Sequence, residues 1–181
     1  MGADEEKCVT QRTLVLGMGC ILMRDDGVGP SALAAFASRY ELPDEVELLD
    51  IGTPGPELAH RIGGYDALIV FDALRVQSPP GTVRCLTRNE ILAAPLLNPR
   101  LSPHDPGLRE ALLSADFFGE SPREVLLIGI VPKEIELGTE LSPEVAAALP
   151  RAAEAAATEL ARLGVEAVLR STPARAEVWW N

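Results

Sequence analysis

ALIVFD, residues 67–72, is five apolar residues closed by a carboxylate, and its reading decides the fold. A run this short, with no polar alternation, fits a strand covered on both faces, as strands of parallel sheets are. TLVLG (13–17) and EVLLIGI (124–130) have the same character, and VELLD (46–50) reads as another strand. Helical stretches separate them. One runs from about Val28 to Tyr40, with Leu33, Phe36 and Ala37 at helical spacing. PELAHRIG (56–63) is a short helix between turn residues, and a further helix starts at Asp105 or Pro106 and reaches about Asp116. After the Pro79-Pro80-Gly81 turn, TVRCL (82–86) alternates like a strand at a sheet edge. A short helix over 89–97 follows, and Pro95, Pro99 and Pro103 then hold the chain in loops.

Ser142-Pro143-Glu144 has the form of an N-cap followed by proline at the first helical position. The pattern predicts a helix from there to Leu163, stopped by Gly164 and kinked at Pro150. Strands alternating with helices predict an α/β fold: an open, twisted, mostly parallel sheet with helices on both faces, a three-layer, doubly wound sandwich. One domain is expected over residues 12–170, with residues 1–11 and 171–181, which include Trp179 and Trp180, as flexible termini.

The composition narrows the function. At 181 residues and 47% hydrophobic, the chain can fill one core. A formal net charge of −11 argues against a nucleic-acid partner, which needs clustered Lys and Arg. No stretch approaches the roughly 18–20 apolar residues that span a bilayer, so no membrane insertion is expected. The start, MGADEEKCVTQR, is acidic where a secretory leader is basic and then apolar, so a cytoplasmic location is expected. Cys8, Cys20 and Cys85 form no CxxC pair, which argues against a disulfide framework or a cysteine-held zinc.

In an open α/β sheet, ligands bind at the carboxyl ends of the strands. Asp25 and Asp26 follow the first strand, and Asp72 ends the strand at 67–72. His104 stands in the proline-rich LSPHDPGL stretch that precedes a helix. Two carboxylates and an imidazole suit a divalent ion such as zinc or nickel, with open positions left for water or substrate. Each residue also has a plain structural reading: Asp25 and Asp26 as a turn or helix cap, Asp72 as an acceptor for loop amides, His104 as surface. His60 reads as packed or solvent-exposed. Gly17 and Gly19 begin like a dinucleotide fingerprint, but Leu22 holds the third glycine's place. No GxxxxGK[ST], HExxH or GxSxG is present. A thiol mechanism would draw on Cys20 with His104.

LVLGMGCILMRDDGVGP (14–30), DIGTPGPEL (50–58), LIVFDAL (68–74), SPHDPGL (102–108) and LIGIVPKEIELGTELSP (127–143) together resemble the hydrogenase maturation endopeptidase family, in its order and spacing, over roughly residues 13–169. The resemblance implies the same open α/β sheet. It also implies an endopeptidase that removes the C-terminal extension of the nickel–iron hydrogenase large-subunit precursor after nickel insertion. The family's metal-binding acids fall on Asp26 and Asp72, and its metal-binding histidine on His104; these three are the expected catalytic residues. The metal implied is the nickel carried by the substrate, so the isolated protein, expected to be a monomer, can be metal-free. A non-catalytic nickel-binding accessory protein would use the same three residues. The general base is open, with Asp25 or a metal-bound carboxylate acting through water as candidates. Two positions depart from the family's pattern: Cys20 stands where asparagine is usual, and the glycine pair of the second motif is reduced to Ile51-Gly52. Thr53–Gly55 offers backbone donors beside the rim, or a plain turn.

Overall fold

The computed structural model describes residues 11–93 and 107–174. The apolar runs become β1 (Thr13–Met18), β3 (Val46–Gly52), β4 (Ala67–Ala73) and β6 (Glu124–Ile130), and the edge segment becomes β5 (Val83–Thr87). They form one sheet in the order β3-β1-β4-β6-β5. All neighbours are parallel except β5, which runs antiparallel to β6. Every residue of β1 and β4 is buried, as strands covered on both faces must be.

The helices are α1 (Val28–Arg39), α2 (Leu58–Ile62), α3 (Arg88–Ala93), α4 (Leu108–Phe118), α5 (Pro143–Ala146) and α6 (Leu149–Arg162). Successive residues of a strand point to opposite faces, so the sheet carries two cores. Val15, Ile69, Phe71 and Ile128 pack with Phe36 of α1 and with Ala152, Ala156 and Leu160 of α6. Leu14, Leu16, Leu68 and Val70 pack on the other face with Leu58 and Ile62 of α2 and with Ala111, Leu112 and Ala115 of α4. The expected three-layer arrangement is therefore present.

The winding reverses between β1 and β4. From β1 the chain passes through α1 to β3 on one side, then through α2 to β4 on the other. The carboxyl ends of β1 and β4 therefore mark the winding switch, the place where ligands bind in open α/β sheets.

Three local readings are corrected. Pro150 does not kink a continuous helix: α5 ends at Ala146, and Pro150 sits in the first turn of α6, where a missing N–H costs nothing. Ser142 takes the extended N-cap conformation before Pro143, but its hydroxyl makes no cap bond, because it is used elsewhere. Tyr40 leaves α1 to open β2 (Tyr40–Glu41), which pairs antiparallel with β7 (Val168–Leu169). Beyond β7, the Ala174 amide donates to the Ser38 carbonyl, so the chain just past 170 is tied to the end of α1. Among the described residues no helix is long and apolar enough to cross a membrane.

Candidate active site

The β1–α1 loop reaches helix geometry in a single 3-10 turn, Arg24–Gly27, and this turn carries both acids. Asp25 is fully buried and Asp26 is 1% exposed. They are neighbours with separate employment.

Asp25 points to the loop after β6. Its Oδ1 accepts the Ser142 amide at 2.6 Å. Its Oδ2 accepts the amides of Lys133 and Glu134 at 2.8 and 2.9 Å and the Ser142 hydroxyl at 2.9 Å. Burial alone would raise this carboxyl's pKa, but the amide bonds from Ser142, Glu134 and Lys133, with the Ser142 hydroxyl, outweigh it and hold the group below its ordinary value. With both oxygens enclosed and occupied, Asp25 cannot collect a proton from a reacting water, so the general-base role considered for it is withdrawn. It is a clamp. Arg24 extends the clamp: its amide donates to Gly138, and its guanidinium pairs with Glu134 and Glu136 at 3.3 and 3.1 Å. Arg24 is the one described non-glycine residue with positive φ (45°), a conformation these contacts hold in place.

Asp26 points back toward β1 and accepts the Cys20 amide on Oδ2 at 2.8 Å. Position 20 thus supports Asp26 through its backbone, and the missing asparagine side chain leaves that bond intact. The second departure is equally mild: Gly52 takes the positive φ (59°) in its motif, and Ile51 does not need one.

Asp72 is the penultimate residue of β4 and 5% exposed. It continues the row of Leu68 and Val70, so its side chain lies on the α2/α4 face. Its Oδ1 accepts the Ala73 amide at 2.7 Å. The turn carrying Asp26 and the end of β4 are pressed together at Gly29, where a Cβ would stand 2.0 Å from the Met18 carbonyl oxygen and 2.5 Å from that of Phe71. Only glycine allows α1 to start that close to both strands. Asp26, in the turn after β1, and Asp72, near the end of the neighbouring β4, therefore both stand at the winding switch, almost closed to solvent. His104 lies outside the described residues. Among the described residues no group of three or more His, Cys, Asp or Glu converges as a metal cage.

Of the cysteines, Cys85 lies mid-strand on β5 opposite Ile128; although the residue is exposed, partial desolvation of its thiol, with Glu159 nearby, pushes the pKa up. That is the wrong direction for a nucleophile. Cys20 is half-buried at the rim, and Cys8 lies outside the described residues. Beside the rim a shallow groove of about 570 Å³ runs between Arg75–Ser78, after β4, and Val131–Ile135, after β6. A second, of about 370 Å³, lies between Pro54–Pro56 with Ala59 and the α4 residues Glu110, Ala111 and Ser114.

The clamp was missed from sequence. Its signal was there in principle, because LIGIVPKEIELGTELSP carries no candidate ligand of its own yet belongs to the resemblance. It belongs there as the partner of Asp25.

Comparison with known proteins identifies the family and the fold. The family model described as hydrogenase maturation protease matches residues 31–159. The hydrogenase 2 maturation protease of Escherichia coli is 39% identical over 160 residues, covering 88% of this chain and 96% of the relative. The hydrogenase expression/formation protein HupD of Rhizobium leguminosarum is 39% identical over 160 residues, covering 88% and 79%. Among solved structures, the hydrogenase maturating endopeptidase HybD of E. coli superposes with a TM-score of 0.81 at 40% identity, covering 88% of this chain and 98% of that one. A [NiFe] hydrogenase maturation protease from Thermococcus kodakarensis gives 0.66 at 33%, covering 82% and 98%. With its switch-point acids set in the fold these proteins share, this chain belongs to the hydrogenase maturation protease family.

Proposed function

We propose that this protease removes the C-terminal extension from the precursor of a nickel–iron hydrogenase large subunit, and does so once nickel is in the precursor. The observation that carries the reading is the pair of nearly buried carboxylates at the winding switch, Asp26 in the turn after β1 and Asp72 near the end of the neighbouring β4. Two carboxylates set this deeply at the ligand-binding rim of an α/β sheet suit a divalent ion. The nickel of the precursor is that ion. It belongs to the substrate, and His104 completes the ligand set from the segment before α4. Asp26, Asp72 and His104 thereby act as a probe, and cleavage follows only when the probe finds its ion. The ion supplies Lewis-acid chemistry at the scissile carbonyl or acidifies a bound water. The protein's own work is to hold two carboxylates at fixed positions, which the Asp25 clamp and the Cys20 amide do for Asp26.

The test is to incubate the protein with the precursor, loaded with nickel or stripped of it, and to weigh the product. Release of a C-terminal peptide from the loaded precursor alone is expected. Equal cleavage of both forms would remove the probe, and cleavage of neither would remove the processing reaction. Asp72→Asn and His104→Ala should fold normally and fail to release the peptide; if they unfold, the positions are structural.

A further inference from the structure

Of the four phenylalanines in the chain, Phe36 and Phe71 are fully buried in the core. The other two, Phe117 and Phe118, sit in sequence at the end of α4, 85% and 61% exposed, with Leu113 beside them 45% exposed. An aromatic pair in water is the informative exception on a soluble surface. Their rings meet edge to face at 5.4 Å, and Phe118 stacks on the His60 ring of α2 at 6.3 Å. The patch therefore bridges α2 and α4.

The same two helices border the groove of about 370 Å³. Its α4 wall uses Ala111 and Ser114, and Phe118 follows at the next helical repeat of the same stripe. Its α2 wall ends at Ala59, next to His60. At its other end stand Gly107, the N-cap of α4, and Gly55, in the loop leaving β3 at the carboxyl rim. The groove and the aromatic patch thus form one mostly apolar track. It starts at the carboxyl rim of the sheet and extends the length of α4, about 16 Å for eleven residues.

We infer that this α2–α4 track, ending on Phe117 and Phe118, is the surface on which the protease's polypeptide substrate docks. The inference rests on the proposed reaction and locates its recognition away from the scissile bond. A macromolecular substrate must touch a surface that reaches the site's rim, and this track begins in the loop leaving β3, whose last residue, Gly52, accepts the Gly19 amide of the β1–α1 loop at its carbonyl, 2.8 Å. A second copy of the chain fits less well, because each copy carries a formal charge of −11 and association would set like charges together. The partner segment is mostly apolar, to match Pro54, Pro56, Ala59 and Ala111, with a polar or basic group where Glu110 and Ser114 line the groove.

Two variants test this against the nickel-loaded precursor: Phe117→Ser with Phe118→Ser, which strips the patch, and Ser114→Trp, which plugs the groove. Titration of precursor gives Kd without requiring cleavage, and processing gives KM and kcat. Both variants should raise Kd and KM about tenfold or more, as loss of aromatic anchors does, and leave kcat within about twofold. The thermal unfolding profile should match that of the parent. Wild-type Kd and KM in both variants would overturn the docking surface, as would failure of the parent to bind the precursor. So would a parental dimer, seen by sedimentation, that the double variant splits into monomers. If the parent binds the precursor without cutting it and the variants bind more weakly, the proposed reaction fails while the surface stands.

Discussion

The β1–α1 turn has two sides, and they are run on opposite terms. On the side of Asp25, a carboxylate is sealed from water and every oxygen is spent on the loop after β6. On the side of Asp26, one carboxylate oxygen is held by the Cys20 amide, and the residue stands at the winding switch beside the end of β4 that carries Asp72. One acid fixes the loop so that the next can be placed. The difference shows that adjacency and identity in sequence say nothing about employment: the turn's geometry sends one side chain into structure and its neighbour to the rim.

The comparison breaks most visibly at the clamp. Asp25→Ala leaves the buried amide and hydroxyl of Ser142, and the part-buried amides of Lys133 and Glu134, without their acceptor, so stability should fall by about 2–4 kcal/mol. Denaturant unfolding measures it. A loss below about 1 kcal/mol would mean that water or a shifted loop replaces the carboxylate, and that the two sides of the turn are less distinct than their geometry. Asp26→Asn should do the reverse. Peptide release should drop by about 10²-fold or more while the unfolding midpoint stays near the parent's, since asparagine keeps an oxygen for the Cys20 amide but loses the charge. Strong destabilisation by Asp26→Asn would make both acids structural.

Much of the fold was legible beforehand, because strands buried on both faces announce themselves as unbroken apolar runs. β1, β4 and β6 fall within a residue or so of the expected spans. β2 and β7 were not legible, since two-residue strands carry no period to read. Pro150 was misread because a proline suits the first turn of a new helix as well as it kinks an old one. At the site, Asp72 could be placed by its position at a strand end. The division of labour between Asp25 and Asp26 could not, because it depends on a partner loop more than 100 residues away in the chain. Nor could the use of the Ser142 hydroxyl, which the local Ser-Pro-Glu pattern assigned to a cap.

A smaller effect sharpens the contrast through pH. The folded chain holds the Asp25 carboxyl below its ordinary value, so the clamp's stabilisation is complete above that ordinary value, about 3.9, and drains away as pH falls through the lower folded value. In the parent, stability should therefore drop as acid is added below about pH 4. In Asp25→Asn, already weakened because its NH₂ or carbonyl cannot satisfy all four donors, that part of the slope should be missing. Unfolding midpoints at stepped pH give the two curves, and parallel curves would place the acid sensitivity elsewhere.

The smallest effect concerns the residue that connects the two sides of the loop to β1. Cys20 departs from the family's usual asparagine, and of the two described cysteines it is the one in the β1–α1 loop. Yet what position 20 gives to Asp26 is a backbone N–H, which any residue but proline supplies. Cys20→Asn should therefore leave peptide release within about twofold and stability within about 0.5 kcal/mol, the range of a substitution away from special features. Loss of all activity in that variant would mean that the sulfur reacts, and that the reaction runs through a thiolate instead of the carboxylates. Retained activity assigns Asp26 its support from the main chain alone, which is why the loop tolerates a change of side chain there and does not tolerate one at Asp25.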